Sequence, residues 1–107
     1  MKRLSEEQSY NLKLQKIVHT LGAVKPALMA QYKVRSLGLF GSYVRGEQEK
    51  RSDLDILVEF SQTPTLLQFL SLENRLHDLF GVKVDLVMKN ALKPAIGKHI
   101  LKEVVPV

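Results

Sequence analysis

The chain reads Gly41-Ser42-Tyr43-Val44-Arg45-Gly46 and, six residues on, Asp53-Leu54-Asp55-Ile56-Leu57-Val58. Asp53 and Asp55 head an apolar run and stand at i and i+2, so on a strand they share one face, roughly 6–7 Å apart. Leu54, Ile56 and Val58 then share the opposite face, while Leu57 follows the two acids. Two carboxylates about 5 Å apart repel by about 3 kcal/mol at an effective dielectric of ~20, and a divalent cation offsets this directly. A third acid, Asp85, interrupts a second apolar run, Val82-Lys83-Val84-Asp85-Leu86-Val87. A charge there is costly unless it is paired or metal-bound, or lies on a wet face with Lys83, which has the same parity. An isolated Asp-x-Asp is more often two surface acids at a strand start, with Ser52-Asp53 as turn residues. The third acid is what shifts the balance toward a metal site.

Gly41-Ser42 follows one apolar stretch and opens a short helix. Glycine lets a backbone approach a phosphate, serine adds a hydroxyl, and the first N–H groups of a helix face an anion. A plain tight turn with Ser42 as N-cap accounts for the same two residues. Arg45 lies within one turn of Ser42, close enough for a phosphate or for an acidic neighbour, and Lys50 and Arg51 could add contacts from the loop. Three acids, a Gly-Ser turn and an Arg are the parts needed to hold a nucleoside triphosphate with magnesium, which takes oxygen ligands from one or two carboxylates, phosphates and water. With Asp53, Asp55 and Asp85 as ligands, two ions could act, one on the attacking hydroxyl and one on the leaving pyrophosphate. Nucleotidyl transfer is the leading reading.

Around this window the pattern gives elements. Ser5 to Gln8 fits a capping box, followed by Leu14, Ile17, Val18 and Leu21 at helical spacing. Gly22 is expected to end or interrupt that helix, and Pro26 to open a second one reaching about Tyr32. Strands are expected over Val34–Phe40, Asp53–Phe60 and Val82–Val87, a short helix over Ser42–Arg45, and longer helices from Leu66 to Phe80 and from Lys93-Pro94 to Glu103. The stretch from Gly46 to Ser52 is too short for a crossover helix, which needs roughly a dozen residues, so the first two strands should be antiparallel neighbours. A helix separates the second and third strands, which can then be parallel through a right-handed crossover. Gly41-Ser42, Asp53, Asp55 and Asp85 converge in that topology.

Composition sets the outer bounds. The chain has 107 residues, 45% hydrophobic and 25% charged, as expected of one globular domain. No apolar stretch approaches the ~20 residues of a transmembrane helix. The start, Met1-Lys2-Arg3-Leu4-Ser5-Glu6-Glu7, has no apolar run behind it, so a cytoplasmic protein without a signal peptide or membrane partner is expected. There is no cysteine, which excludes disulfides, thiolate metal sites and cysteine nucleophiles. A net charge of +5 favours anionic partners or serves solubility. No aromatic residues interleave with a basic stripe, so nucleic acid is not expected as the direct substrate. His19, His77 and His99 lie in three expected helices without an i, i+4 metal partner.

Taken together, Gly41-Ser42-x-x-Arg45-Gly46, Ser52-Asp53-x-Asp55 and Asp85 resemble the minimal nucleotidyltransferases, the smallest members of the DNA polymerase beta-like nucleotidyltransferase superfamily. The similarity extends through Ser36–Phe40, Ile56–Phe60, Val84–Val87 and the tail from Ala91 to Val107, so it covers roughly Val34 to the C-terminus. Val44 stands where such proteins often have alanine. The resemblance implies an α+β nucleotidyltransferase fold: a small mixed sheet of three or more strands, flanked by helices. Residues 1–107 would be one domain, with an N-terminal helical segment at 1–32, a catalytic core at 34–87 and a C-terminal helix at 93–103. It implies Asp53, Asp55 and Asp85 as catalytic magnesium ligands, and Gly41, Ser42, Arg45 and Ser52 as nucleotide-binding, with a structural role open for Arg45. Many such proteins are antitoxins encoded beside a HEPN-domain ribonuclease toxin, and some transfer AMP from ATP to a toxin tyrosine. That is the implied function. The alternatives are an antitoxin that acts by occlusion alone, and a transferase acting on RNA or a small molecule.

Overall fold

The computed structural model describes residues 6–49 and 51–107, and side chains from residue 13 onward. The expected capping box depends on Ser5 and on the Gln8 side chain, which, like any contact from Lys50, lie outside what is described. Four strands form one mixed sheet: β1 (Val34–Phe40), β2 (Leu54–Phe60), β3 (Val84–Met88) and β4 (Val105–Pro106), in the order β3-β2-β1-β4. The helices are α1 (Glu6–Tyr32), α2 (Ser42–Arg45), α3 (Leu66–Phe80) and α4 (Pro94–Glu103). β1 and β2 are antiparallel, and β2 and β3 are parallel, as the connection lengths dictate.

The alternation of β2 builds the core. Leu54, Ile56 and Val58 are fully buried, and their register partners Val84, Leu86, Leu37 and Leu39 lie on the same face. Leu21 and Leu28 of α1 and Leu72 and Leu76 of α3 cover that face. Each such buried side chain contributes about 1.5–3 kcal/mol relative to exposure. α3 begins at Thr65, whose hydroxyl accepts the Gln68 amide while Gln68 Oε1 accepts the Thr65 amide. It ends at Gly81, whose φ of 67° supplies the left-handed turn. On the outer edge of the sheet, the Leu86 amide of β3 donates to Glu73 Oε2 of α3 at 3.1 Å, which occupies a group that could otherwise pair with another chain.

Several expectations change, and one is that β2 starts at Leu54 and leaves Asp53 in the preceding loop. α1 is one helix of 27 residues, and neither Gly22 nor Pro26 breaks it. Pro26 lacks the N–H that would bond the Gly22 carbonyl, but burial of Ile17, Leu21 and Leu28 on one face outweighs that single missing bond. β3 starts at Val84 and not Val82, and runs on to Met88. The sheet also gains β4, which pairs with β1 at Gly38↔Pro106 and Leu39↔Val105. Gly38 makes this possible, because a Cβ there would stand 2.5 Å from Val104 Cγ2. The chain end is tied down further. The Val107 amide donates to the Leu37 carbonyl at 3.0 Å, and Lys25 Nζ donates to the Val107 carbonyl at 2.8 Å.

Candidate active site

β1 ends where β2 and β3 begin. In register, Phe40 faces Asp55 and Asp55 faces Asp85. Paired residues on neighbouring strands lie about 5 Å apart and project to the same side. Their side is opposite the helix-covered core, because Leu54 and Ile56 on either side of Asp55 point inward. Asp55 is partly buried and Asp85 is exposed. Burial, and then the charges of Asp85 and Asp53, push the Asp55 carboxyl from its ordinary 3.8 up to about 6, against a smaller opposing pull from Arg45. The folded chain therefore holds this proton more tightly than the unfolded chain. In the metal-free protein, stability from this group is greatest at low pH and is lost as pH rises through the interval from 3.8 to about 6. Thermal melts between pH 4 and pH 7 should show this fall, and Asp55→Asn should flatten it. An unchanged slope in the variant would place the burden elsewhere.

Asp53 sits just before β2, and Lys83 Nζ lies 3.8 Å from its Oδ2. Both side chains are substantially exposed, so the pair is worth less than about 1 kcal/mol. Tyr43 is the buried residue of α2 and belongs to the core cluster. Burial and then the Asp53 charge push its hydroxyl up, and Lys13 Nζ lies 5.5 Å over its ring. Tyr43 thus anchors α2 to the core.

Gly41 is the N-cap of α2, at φ 81° and ψ −156°, and no side chain caps the helix. Ser42 is therefore the first helical residue and not the cap. A Cβ on Gly41 would overlap Asp55 Oδ2 and stand 2.9 Å from Asp55 Cγ. Only glycine lets the turn lie against that carboxylate. The Gly41 carbonyl accepts the Val44 and Arg45 amides at 3.1 and 3.2 Å. Ser42 and Tyr43, in the first turn, have N–H groups without intrahelical acceptors, which suits them to an anion.

Glu103, the last residue of α4, reaches the same turn. Its Oε2 accepts the Gly41 amide at 2.9 Å, and its Oε1 accepts Arg45 Nη1 at 2.7 Å. Arg45 Nε also donates to Glu47 Oε2 at 3.0 Å. Burial tends to raise the Glu103 carboxyl, but the Gly41 amide and Arg45 together hold it below the usual carboxylate range. The bonds to Glu103 and Glu47 in turn raise the Arg45 guanidinium. Ser52 is used within its loop: its hydroxyl accepts the Glu49 amide at 2.7 Å, and its own amide donates to the Glu49 carbonyl at 3.0 Å. The structure thus gathers Gly41, Arg45, Asp55 and Asp85 around one turn, with Asp53 and Ser42 at its margins and Ser52 engaged in the adjoining loop. Beside the turn an open cleft of about 820 Å³ is lined by Phe40, Gly41, Arg45, Ile96, Ile100 and Glu103. Tyr43 and Glu103 were not among the sequence-derived candidates. For Glu103 a local signal existed, since an acid in the last turn of a helix opposes the helix dipole.

Among the described residues no three His, Cys, Asp or Glu side chains are gathered tightly enough to enclose a metal ion by themselves. Magnesium does not demand such a cage. It binds through one or two carboxylates, with phosphates and water completing the shell. A neighbouring pair of hard oxygen donors, one of them destabilised as an anion by burial and by like charges, fits that requirement. Asp53 could join on leaving Lys83.

A strand, a Gly-Ser turn into a short helix, and acids aligned across a mixed sheet define a nucleotidyltransferase. The Polymerase beta, Nucleotidyltransferase family model matches residues 23–107, and the chain belongs to this family. Over 94 residues it is 51% identical to Protein adenylyltransferase MntA of Thermococcus cleftensis, covering 88% of this chain and 95% of that protein. The solved structure of a minimal nucleotidyltransferase matches with a TM-score of 0.71 at 33% identity, covering 92% of this chain and 95% of that one. A toxin–antitoxin crystallised with AMP-PNP matches with a TM-score of 0.64 at 26% identity, covering 86% of this chain and 69% of that one. Among the described residues no helix is long and apolar enough to cross a membrane.

Proposed function

We propose that this nucleotidyltransferase is an antitoxin that moves AMP from ATP to a tyrosine of a HEPN-domain ribonuclease toxin, with magnesium at Asp53, Asp55 and Asp85. The observation that carries the chemistry is the in-register Asp55–Asp85 pair beside the Gly41 turn. Support for the acceptor class comes from the name of the 51% identical relative, and the AMP-PNP toxin–antitoxin supports the nucleotide and the partner. The HEPN fold and the tyrosine rest on the family resemblance.

In the reaction the acceptor oxygen bonds to the α-phosphorus of ATP, the bond between the α- and β-phosphates breaks, pyrophosphate leaves, and the hydroxyl proton is released to solvent. When bound, magnesium neutralises triphosphate charge and favours ionisation of the acceptor hydroxyl. The protein supplies position. Asp55 and Asp85 hold their carboxylates on adjacent strands, and the N–H groups at Ser42 and Tyr43 would receive phosphate oxygens. Positioning and electrostatics supply most of phosphoryl-transfer catalysis.

The test is incubation with magnesium, ATP and a HEPN-domain protein, taken from beside this gene where one is encoded there. Intact-mass spectrometry should show addition of adenylyl groups to that protein, mapped to tyrosine. Neutralisation with no adduct would overturn the enzymatic reading.

A further inference from the structure

Glu103 spans the turn between α2 and the far end of the chain, and its carboxylate is fully used there. One oxygen takes the Gly41 amide and the other takes Arg45. Gly41 is therefore held between two acids, with Asp55 against its α-carbon side and Glu103 on its N–H. The mount for Glu103 is rigid. Val104 packs against Gly38, Val105 and Pro106 pair with β1, and Val107 is tied to Leu37 and Lys25. Glu103 is also the better covered of the two acids on Arg45, at 22% side-chain exposure against 64% for Glu47.

An unpinned arginine loses substantial rotamer freedom when it engages a ligand. One already held at a fixed place does not, and sites work best when supporting residues lock the groups that contact the ligand. Resting on the nucleotidyl-transfer reading above, we propose that Glu103 is a positioning residue for ATP. By holding the Gly41 amide and the Arg45 guanidinium together, it sets the turn that receives the triphosphate. The C-terminal helix is thereby part of the nucleotide site, although it carries none of the sequence motif. The competing possibility is that Glu103 imitates a phosphate and must be displaced by ATP. The two differ in sign.

The experiment measures AMP transfer to the HEPN-domain acceptor of the assay above by the full chain, as wild type, Glu103→Gln and Glu103→Ala, with a melting curve for each. Glutamine keeps an oxygen for the Gly41 amide but loses the charge opposite Arg45. Alanine loses both. Glu103→Ala should raise the KM for ATP at least tenfold with kcat changed less than threefold, and Glu103→Gln should raise it by a smaller factor. A lowered KM in either variant would show a displaced plug and overturn the proposal. An unchanged KM with lower kcat, as a reduced folded fraction gives, would overturn it too. If Glu103→Ala does not fold, the isosteric Glu103→Gln decides by the same criterion. A wild type that transfers nothing overturns the functional reading itself, whereas an active wild type with variant KM values equal to its own overturns only the role of Glu103.

Discussion

Asp55→Asn is expected to lower AMP transfer by at least about a hundredfold while the metal-free protein at pH 7 melts at or above the wild-type temperature. The substitution keeps shape and removes a charge. Loss of one electrostatic contributor to a transition state costs about 10²–10³ in rate, and here the group also anchors the proposed magnesium. Stability should move the other way, because Asp55 is an anion held in a partly buried place next to Asp85 and Asp53. The opposite signs are diagnostic, since a merely destabilised variant would lose both. Labelled ATP with the partner protein reads the first quantity, and circular dichroism reads the second. Wild-type transfer by Asp55→Asn would remove this residue from the site. The double variant Asp53→Asn/Asp55→Asn extends the test to cells: it should bind the toxin yet fail to protect. Full protection without an adduct would establish occlusion instead.

Gly41→Ala should produce the second large effect, through the backbone. The residue has φ 81°, and an added Cβ would overlap Asp55 Oδ2 and stand 2.9 Å from Cγ and 3.2 Å from Cβ of that residue. With ψ at −156° this backbone lies in a region essentially reserved for glycine, which costs any other residue about 1–3 kcal/mol, and the overlap forces either the turn or the carboxylate to move. A loss of about 2 kcal/mol or more in stability is expected, with a tenfold or greater loss of transfer. Gly81→Ala is the control. Its φ of 67° and ψ of 14° are left-handed helical, a milder strain than that at Gly41, and a Cβ there meets nothing within 4 Å. It should lose stability by chemical denaturation and keep its specific activity. Equal activity losses in the two variants would mean that contact with Asp55 is not what Gly41 provides.

Much of this architecture is legible in the residues. β1, α2 and α3 match their expected bounds because glycines at 41, 46 and 81 stop the elements where the apolar pattern stops. Strand directions follow from loop lengths alone, and with them the approach of Gly41, Asp55 and Asp85. What stayed hidden was decided by contacts between distant segments. The continuity of α1 depends on a buried face that local helix breakers obscure. β4 is two residues long, one of them a proline, and has no period to read; its place is set by the missing side chain of Gly38. The attachment of Glu103 to Gly41 joins residues 62 apart in the chain. Similarly, the ion pair that holds Asp53 at Lys83 follows from strand alignment and not from the motif.

The alignment of β2 with β3 has one more consequence. Leu54↔Val84 and Ile56↔Leu86 are buried partners, and Asp55↔Asp85 lies between them. A slip of one residue would turn leucines to water and acids into the core, since successive side chains alternate faces. The greasy side of the sheet thus acts as a proofreader for the acidic side: it rejects any odd slip, so the two carboxylates stay on one face. Insertions in the 61–65 or 81–83 connections would then be absorbed as loop without misaligning the acids, whereas a single residue inserted within either strand would disable folding and chemistry together.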